Sequence, residues 1–313
     1  MAISNLKLSR IIYGAMGIGG EWNSSPLEKK DISEGQEAIE AAIEIGINFF
    51  DHANIYRVGK SEEVFGYFLE NNSALREKLY IQSKVGIDNG KYNFAYDHII
   101  SEVKGSLKRL KTDYMDCLLL HRPDPLMDVK ELKAALDYLF NNGMIRAIGV
   151  SNMSHHQIEH IQYYIERPIA ANQLQMSLAH IDWVSAGVEF NRPDYANTGF
   201  PIGTVEYCTR NNISIQAYGA LANGFFSGRQ LAEDAPQNRI NTNNMVAKMA
   251  LEKEVSREAI VLAWLMRHPA NICPVIGTKN PDRIRAVKAA FDLELSREEW
   301  YDLFRTSRGV PMP

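Results

Sequence analysis

The stretch Ile45–Leu69, IGINFFDHANIYRVGKSEEVFGYFL, decides how the rest of this chain is read. It opens as a short buried-strand pattern, with Ile45, Ile47, Phe49 and Phe50, and runs directly into Asp51. A polar loop carries Tyr56, and after Gly59 the residues Ser61 and Glu62 look like the start of a helix. A strand that delivers a carboxylate and a phenol at its carboxyl end, just before a helix, is where α/β proteins place their chemistry. Taken alone, the pair also fits a turn cap and a packed ring, so other strand ends have to decide between the readings.

Working outward, the same unit recurs. Apolar runs at 11–16, 79–84, 115–120, 145–150, 169–175, 213–218 and 272–276 read as seven further strands. Between them lie helical patterns at 33–45, 61–70, 97–110, 129–140, 201–210, 256–267 and 280–290, and another begins at Ser154. Ser33 is the expected N-cap of the first, Pro281 opens the 280–290 helix, and Ser296 with Glu299 forms a capping box for a last helix to Arg305. The segment from 176 to about 199 reads as irregular, and the polar segment after Gly228 gives no clear period. Eight strands alternating with helices in 313 residues, with no linker or composition break, predict a single-domain (β/α)8 TIM barrel over residues 1–313.

Composition narrows the class. The net charge of −4 gives no basic excess for nucleic acid or an anionic membrane. Cys117, Cys208 and Cys273 lie far apart without a neighbouring His pair, which points to a reducing compartment and away from disulfides or structural zinc. No apolar run approaches membrane-spanning length, and MAISNLKLSRIIYG lacks the apolar core of a secretory signal. The expectation is a cytoplasmic protein with a small-molecule partner, and the sequence does not fix its oligomeric state.

In a barrel the βα loops converge at the carboxyl ends of the strands, so the residues there are the candidates. They are Asp51 with Tyr56, then Lys84, His121, Ser151–Asn152, Asn172 with Gln173 and Gln175, Tyr218, and Gly277–Thr278. Asp51 and Lys84 fall on adjacent strands and are placed to pair, which makes both tolerable facing inward. A lysine beside a phenol stabilises the phenolate, which suits a proton donor working near neutral pH. A histidine beside them can orient and polarise a carbonyl oxygen. Such a set can protonate a carbonyl that is being reduced, but it cannot supply the electron pair.

The segments FDHANIYRVGKSEEVFG, QSKVG, LLLHRPDP, AIGVSNMS, ANQLQ, QAYGAL and PVIGTKNPDRI, in this order, resemble the aldo-keto reductase family over nearly the whole chain. HRPDPLMD is further similar to a bacterial branch of uncharacterised oxidoreductases in that family. The resemblance implies a (β/α)8 barrel that binds NADP(H) without a Rossmann domain, and this chain has no G-x-G-x-x-G. It implies a catalytic tetrad of Asp51, Tyr56, Lys84 and His121, with Tyr56 as general acid in carbonyl reduction. Ser151, Asn152 and Gln173 resemble the residues that hold the nicotinamide carboxamide, Tyr218 the ring that stacks on it, and Leu221 the loop beside the pyrophosphate. Gly277, Thr278, Lys279 and Arg283 resemble the site of the 2′-phosphate, where a helix start and two cations suit that group. Gly277 and Thr278 stand where many members carry Lys-Ser.

The reaction class this implies is hydride transfer from NADPH to an aldehyde or ketone. Potassium-channel β subunits share the implied fold and cofactor, so a redox-sensing regulatory partner is the alternative. A Schiff-base lyase using Lys84 would leave Tyr218 and the 278–283 segment without a role. Trp183, Phe190, Tyr195, Phe225, Phe226 and Val310 are expected near the substrate, as an apolar wall or as loop packing.

Overall fold

A computed structural model describes residues 7–192, 199–230 and 232–313. Its strands are β1 (Ile12–Gly14), β2 (Phe49–Asp51), β3 (Tyr80–Val85), β4 (Ile87–Asp88), β5 (Lys91–Tyr92), β6 (Cys117–Leu120), β7 (Ile148–Ser151), β8 (Ile169–Gln175), β9 (Ser214–Tyr218) and β10 (Cys273–Ile276). Its helices are α1 (Lys29–Glu44), α2 (Lys60–Asn71), α3 (Tyr96–Leu110), α4 (Val129–Asn141), α5 (His155–Tyr164), α6 (Asp182–Glu189), α7 (Thr204–Arg210), α8 (Gln237–Glu252), α9 (Arg257–Met266), α10 (Pro281–Arg285) and α11 (Arg297–Arg308). The strand order β1-β10-β9-β8-β7-β6-β3-β2 is that of a closed barrel, the (β/α)8 class expected from the alternation. By contacts the chain divides into two compact units, Met1–Asn172 with Gly277–Ile284, and Gln173–Ile276 with Arg285–Pro313.

In the first unit the strands pair in parallel, with Asp51 opposite Gln82, Lys84 opposite Leu119 and Leu120 opposite Val150. Every residue of β3 and β6 is buried, as parallel strands covered on both faces should be, and this is why MDCLLL reads as one apolar run. Phe65 of α2 packs on Phe50 of β2 with ring centroids 5.0 Å apart. Helix α2 approaches α3 so closely that a Cβ on Gly66 would lie 2.0 Å from the Arg109 carbonyl oxygen, so a side chain here would force the helices apart. Just before β6, the buried Asp116 accepts from Arg76 at 3.0 Å and from the Ile81 amide at 2.9 Å. Tyr114 lies between the Arg76 and Arg146 guanidinium groups, 3.8 and 3.6 Å from its ring centroid. These bonds at the amino ends of the strands serve stability rather than chemistry.

The second unit is organised around α9, of which all but Arg257 is buried. Trp264 and Trp300 stack at 5.4 Å, nearly parallel, and each indole N–H donates to the other's carbonyl, at 3.2 and 3.0 Å. Buried indoles keep their polar edge satisfied in this way. Trp183 meets Trp264 edge-on at 5.6 Å, and Arg308 of α11 pairs with Glu189 of α6.

Several expectations are corrected here. Helix α1 starts at Lys29, not after Ser33: Glu28 and Asp31 form a capping box, and Ser33 lies inside the helix bonded to Glu37. Ile45 caps the end of α1 rather than opening β2. The supposedly irregular stretch contains α6, and the unassigned polar segment contains α8. The helix expected over 280–290 is two pieces, α10 and a 3₁₀ turn at Lys288–Phe291. The β4–β5 hairpin was not anticipated, although Asn89–Gly90 at its tip (φ 45° and 82°) is a standard turn signal.

Candidate active site

Strand β2 ends at Asp51, and the chain then turns sharply through Arg57, Val58 and Gly59, all in the left-handed region at φ 51°, 59° and 88°. Tethers on both sides hold this turn. The Asn54 amide donates to the Lys84 carbonyl at 3.2 Å, and its side chain donates to Glu102 at 2.7 Å. Arg57 Nε donates to the Met16 carbonyl at 3.1 Å, its guanidinium lying 5.2 Å over the Trp22 ring. Ser61 Oγ donates to the Ala15 carbonyl at 2.6 Å, and Lys60 Nζ to Asn23 at 3.1 Å. These five hydrogen bonds anchor the loop that carries Tyr56 and the start of α2.

The buried Lys84 ammonium donates to Asp51 Oδ2 at 2.7 Å, to the His52 carbonyl at 2.8 Å and to Tyr56 Oη at 3.0 Å. An ammonium has three protons, and this one has three acceptors. The other Asp51 oxygen accepts from Gln82 Nε2 at 2.7 Å. Burial pushes the Lys84 pKa down, but Asp51 and Tyr56 outweigh it and hold the ammonium above its ordinary value. The His121 ring meets Tyr56 edge-on, with centroids 6.2 Å apart. Burial, then the positive charges of Lys84 and Arg122, lower the His121 pKa to about 3, so the imidazole is neutral at physiological pH. Its Nδ1 is buried without a hydrogen-bond partner. The four residues of the expected tetrad lie together.

Gln82 was missed by the sequence reading, although it sits two residues before Lys84 and so shares its strand face. His52 was also passed over. It is fully buried against Phe65 at 4.6 Å, neither ring nitrogen has a partner, and burial followed by Lys84 lowers its pKa to about 3. Around the opposite face of β3, Glu62 accepts from Ser83 Oγ at 2.6 Å and from Arg109 Nε at 2.8 Å, fixing α2 against the strand that carries Lys84.

Other expected residues of the first unit lie on its strand ends and loops. Asn152, at φ 58°, donates to Ser151 Oγ at 2.8 Å and to the His121 carbonyl at 3.4 Å. Asn172 donates to the Met153 carbonyl at 2.8 Å, leaving its Oδ1 buried and unpartnered. The Gly277–Arg283 segment is braced against β1: Tyr13 Oη donates to the Thr278 carbonyl at 3.2 Å, and a Cβ on Gly17 would lie 2.7 Å from the Gly277 carbonyl oxygen. Lys279 Nζ pairs with Glu34 of α1 at 2.5 Å. Asn280 Oδ1 accepts from the Asp282 and Arg283 amides at 2.9 and 3.1 Å, so the start of α10 is already capped by its own chain.

In the second unit, Gln173 Nε2 donates to Gln216 at 3.0 Å, and the Tyr218 carbonyl accepts from the Met176 amide at 3.2 Å. The Leu221 carbonyl accepts from the Gly224 amide at 2.8 Å in the turn after β9. Of the residues expected near substrate, Trp183 and Phe226 are buried packing residues, whereas Phe190 and Val310 are exposed. Tyr195 lies outside the described residues. Among the described residues no helix is long and apolar enough to cross a membrane, and no group of three or more His, Cys, Asp or Glu side chains could hold a metal ion.

Comparison with known proteins places the chain by sequence and fold. A 6-dehydroglucose reductase from Agrobacterium fabrum is 34% identical over 97% of this chain and 96% of its own length. A glycerol dehydrogenase structure from Gluconobacter oxydans, 25% identical, superposes with a TM-score of 0.78 over 99% of this chain and 95% of that one. An aldo-keto reductase from Klebsiella pneumoniae solved with NADPH, 24% identical, superposes with a TM-score of 0.73 over 95% and 90% of the two chains. The model of the aldo/keto reductase family matches residues 10–305, a span that takes in every strand of the barrel and the whole Asp51–Tyr56–Lys84–His121 cluster, and the chain belongs to that family.

Proposed function

We propose that this chain is an NADPH-dependent carbonyl reductase, a single barrel domain with Tyr56 as its proton donor. The observation that carries the reading is the Lys84 ammonium, bonded at once to Asp51 and to the Tyr56 hydroxyl beside a neutral His121. This set can deliver a proton and polarise a carbonyl but holds no electron pair to give. The Thr278–Arg283 segment brings two cationic side chains, which suit a nucleotide 2′-phosphate. Both features fit NADP(H), whose nicotinamide supplies a hydride to the carbonyl carbon when bound.

The protein's share is proton delivery. As the carbonyl carbon gains its new C–H bond, the C=O π pair moves to oxygen and takes the Tyr56 proton, giving the alcohol. Lys84 stabilises the phenolate left behind, Asp51 holds Lys84 in place, and Gln82 holds Asp51. A neutral imidazole keeps one N–H to donate, so His121 orients the carbonyl oxygen. In the oxidative direction the Tyr56 phenolate takes the proton back. Ser151, Asn152 and Gln173 keep the carboxamide role, Tyr218 the stacking role, Leu221 the pyrophosphate role, and Gly277, Thr278, Lys279 and Arg283 the 2′-phosphate role that the family resemblance implies.

Replacing Tyr56 with Phe tests the reading. Turnover of NADPH with a carbonyl panel headed by 6-dehydroglucose, after the Agrobacterium relative, should fall by about 10²- to 10⁴-fold. NADPH binding, followed by fluorescence, should be kept. Full turnover in that variant would remove Tyr56 from the mechanism.

A further inference from the structure

We propose that Glu34 sets the cofactor preference of this protein by competing with a nucleotide 2′-phosphate for Lys279. This rests on the reading that the Thr278–Arg283 segment receives that phosphate. Glu34 lies in the second turn of α1, its Oε2 2.5 Å from Lys279 Nζ and its Oε1 3.6 Å from Lys30. The Lys279 and Glu34 side chains are both partly exposed, so the pair is of the weak kind that solvent and ligands can exchange.

The backbone around Lys279 does not depend on this pair. Tyr13 holds the Thr278 carbonyl, Gly17 packs against Gly277, Thr278 Oγ1 accepts from the Asn280 amide at 3.2 Å, and Asn280 caps α10. Removing Glu34 therefore frees an ammonium without freeing the loop. The capping also matters for what a phosphate can use. The Asp282 and Arg283 amides are committed to Asn280, which leaves the cationic side chains to carry recognition. A dianionic phosphate at Lys279 must displace Glu34 or accept a carboxylate as its neighbour. NADH has no such phosphate and is indifferent to Glu34. Glu34 thus lowers NADPH affinity selectively and narrows the gap between the two nucleotides.

The test is the dissociation constants of NADPH and NADH, read by fluorescence for wild type, Glu34→Gln, Lys279→Met and the double variant. Titrating 2′,5′-ADP against 5′-AMP by calorimetry repeats the comparison without turnover. Glu34→Gln should tighten NADPH and 2′,5′-ADP by about three- to tenfold, with NADH and 5′-AMP unchanged within about twofold. The gain should vanish in the Lys279→Met background. An unaltered preference, equal tightening of both nucleotides, or a gain that survives Lys279→Met overturns the proposal. If wild type turns over carbonyls with NADPH and only the preference fails to respond, the role of Glu34 alone is wrong. If wild type binds neither nucleotide, the carbonyl-reductase reading falls and takes this proposal with it.

Discussion

The ammonium groups of Lys84 and Lys279 each meet a carboxylate, at 2.7 and 2.5 Å, and have almost nothing else in common. Lys84 is enclosed, with all three protons committed and its Asp51 partner tied to Gln82. Lys279 stands half in solvent, with Glu34 as the partner that faces it from a neighbouring helix. The first arrangement fixes one geometry and one protonation state. The second leaves a charge that can change partners. A reaction needs the first kind of site, whereas a choice between ligands can be made with the second.

The sharpest way to break this comparison is to neutralise each lysine in turn. Lys84→Met strands Asp51 as a buried, uncompensated charge and should cost about 3–5 kcal/mol of unfolding free energy in urea titrations. Lys279→Met breaks an exposed pair and should change stability by less than about 1 kcal/mol. Similar losses from the two would contradict the contrast.

Acid sharpens it further, because two imidazoles beside Lys84 are held neutral. The folded pKa of His52 and of His121, about 3, lies below the ordinary value of 6.5, so the unfolded chain takes up protons that the folded chain refuses. Their contribution is complete above about pH 6.5 and is lost as pH falls toward 3, with a slope of up to about 1.4 kcal/mol per pH unit for each imidazole. His52→Leu should flatten the stability-against-pH curve between pH 4 and about 6. An unchanged slope would mean that His52 titrates normally in the folded protein.

The smallest effect concerns the turn that places Tyr56. Val58 is β-branched, exposed and left-handed at φ 59°, a conformation such residues avoid. Val58→Asn should raise stability by about 0.5–1 kcal/mol while leaving the turn intact. A loss would show that the valine side chain contributes packing that exceeds its backbone cost.

Much of this was legible because a buried parallel strand announces itself as an apolar run: Met115–Leu120 marks β6 without help from anything distant. Ser154, Ser256 and Ser296 were readable as caps, since each accepts an amide three residues on, as the local sequence alone dictates. Helix α8 was not legible: its polar and Asn-rich sequence carries little amphipathic signal, and it is held by tertiary contacts such as Asn238 to the Ser307 carbonyl at 2.8 Å. The start of α1 was hidden by a reciprocal Glu28–Asp31 cap inside what reads as a charged surface run. At the site, the Asp51–Lys84 pairing followed from adjacent strands. The Lys279–Glu34 pair did not, because its partners stand 245 residues apart and nothing local links them.

The four tryptophans give this molecule an uneven optical record. Trp183, Trp264 and Trp300 form one buried cluster in the second unit, its two stacked indoles close enough to couple their transitions. Trp22 stands apart beneath Arg57, next to the turn that carries Tyr56, and is 51% exposed. An aqueous quencher such as iodide therefore reaches Trp22 and spares the cluster. The unquenched emission and the near-ultraviolet dichroism report the packing of α9 and α11, while the quenchable part reports the loop beside Tyr56. The native chain thus carries separate reporters for its scaffold and for its site, with no label added.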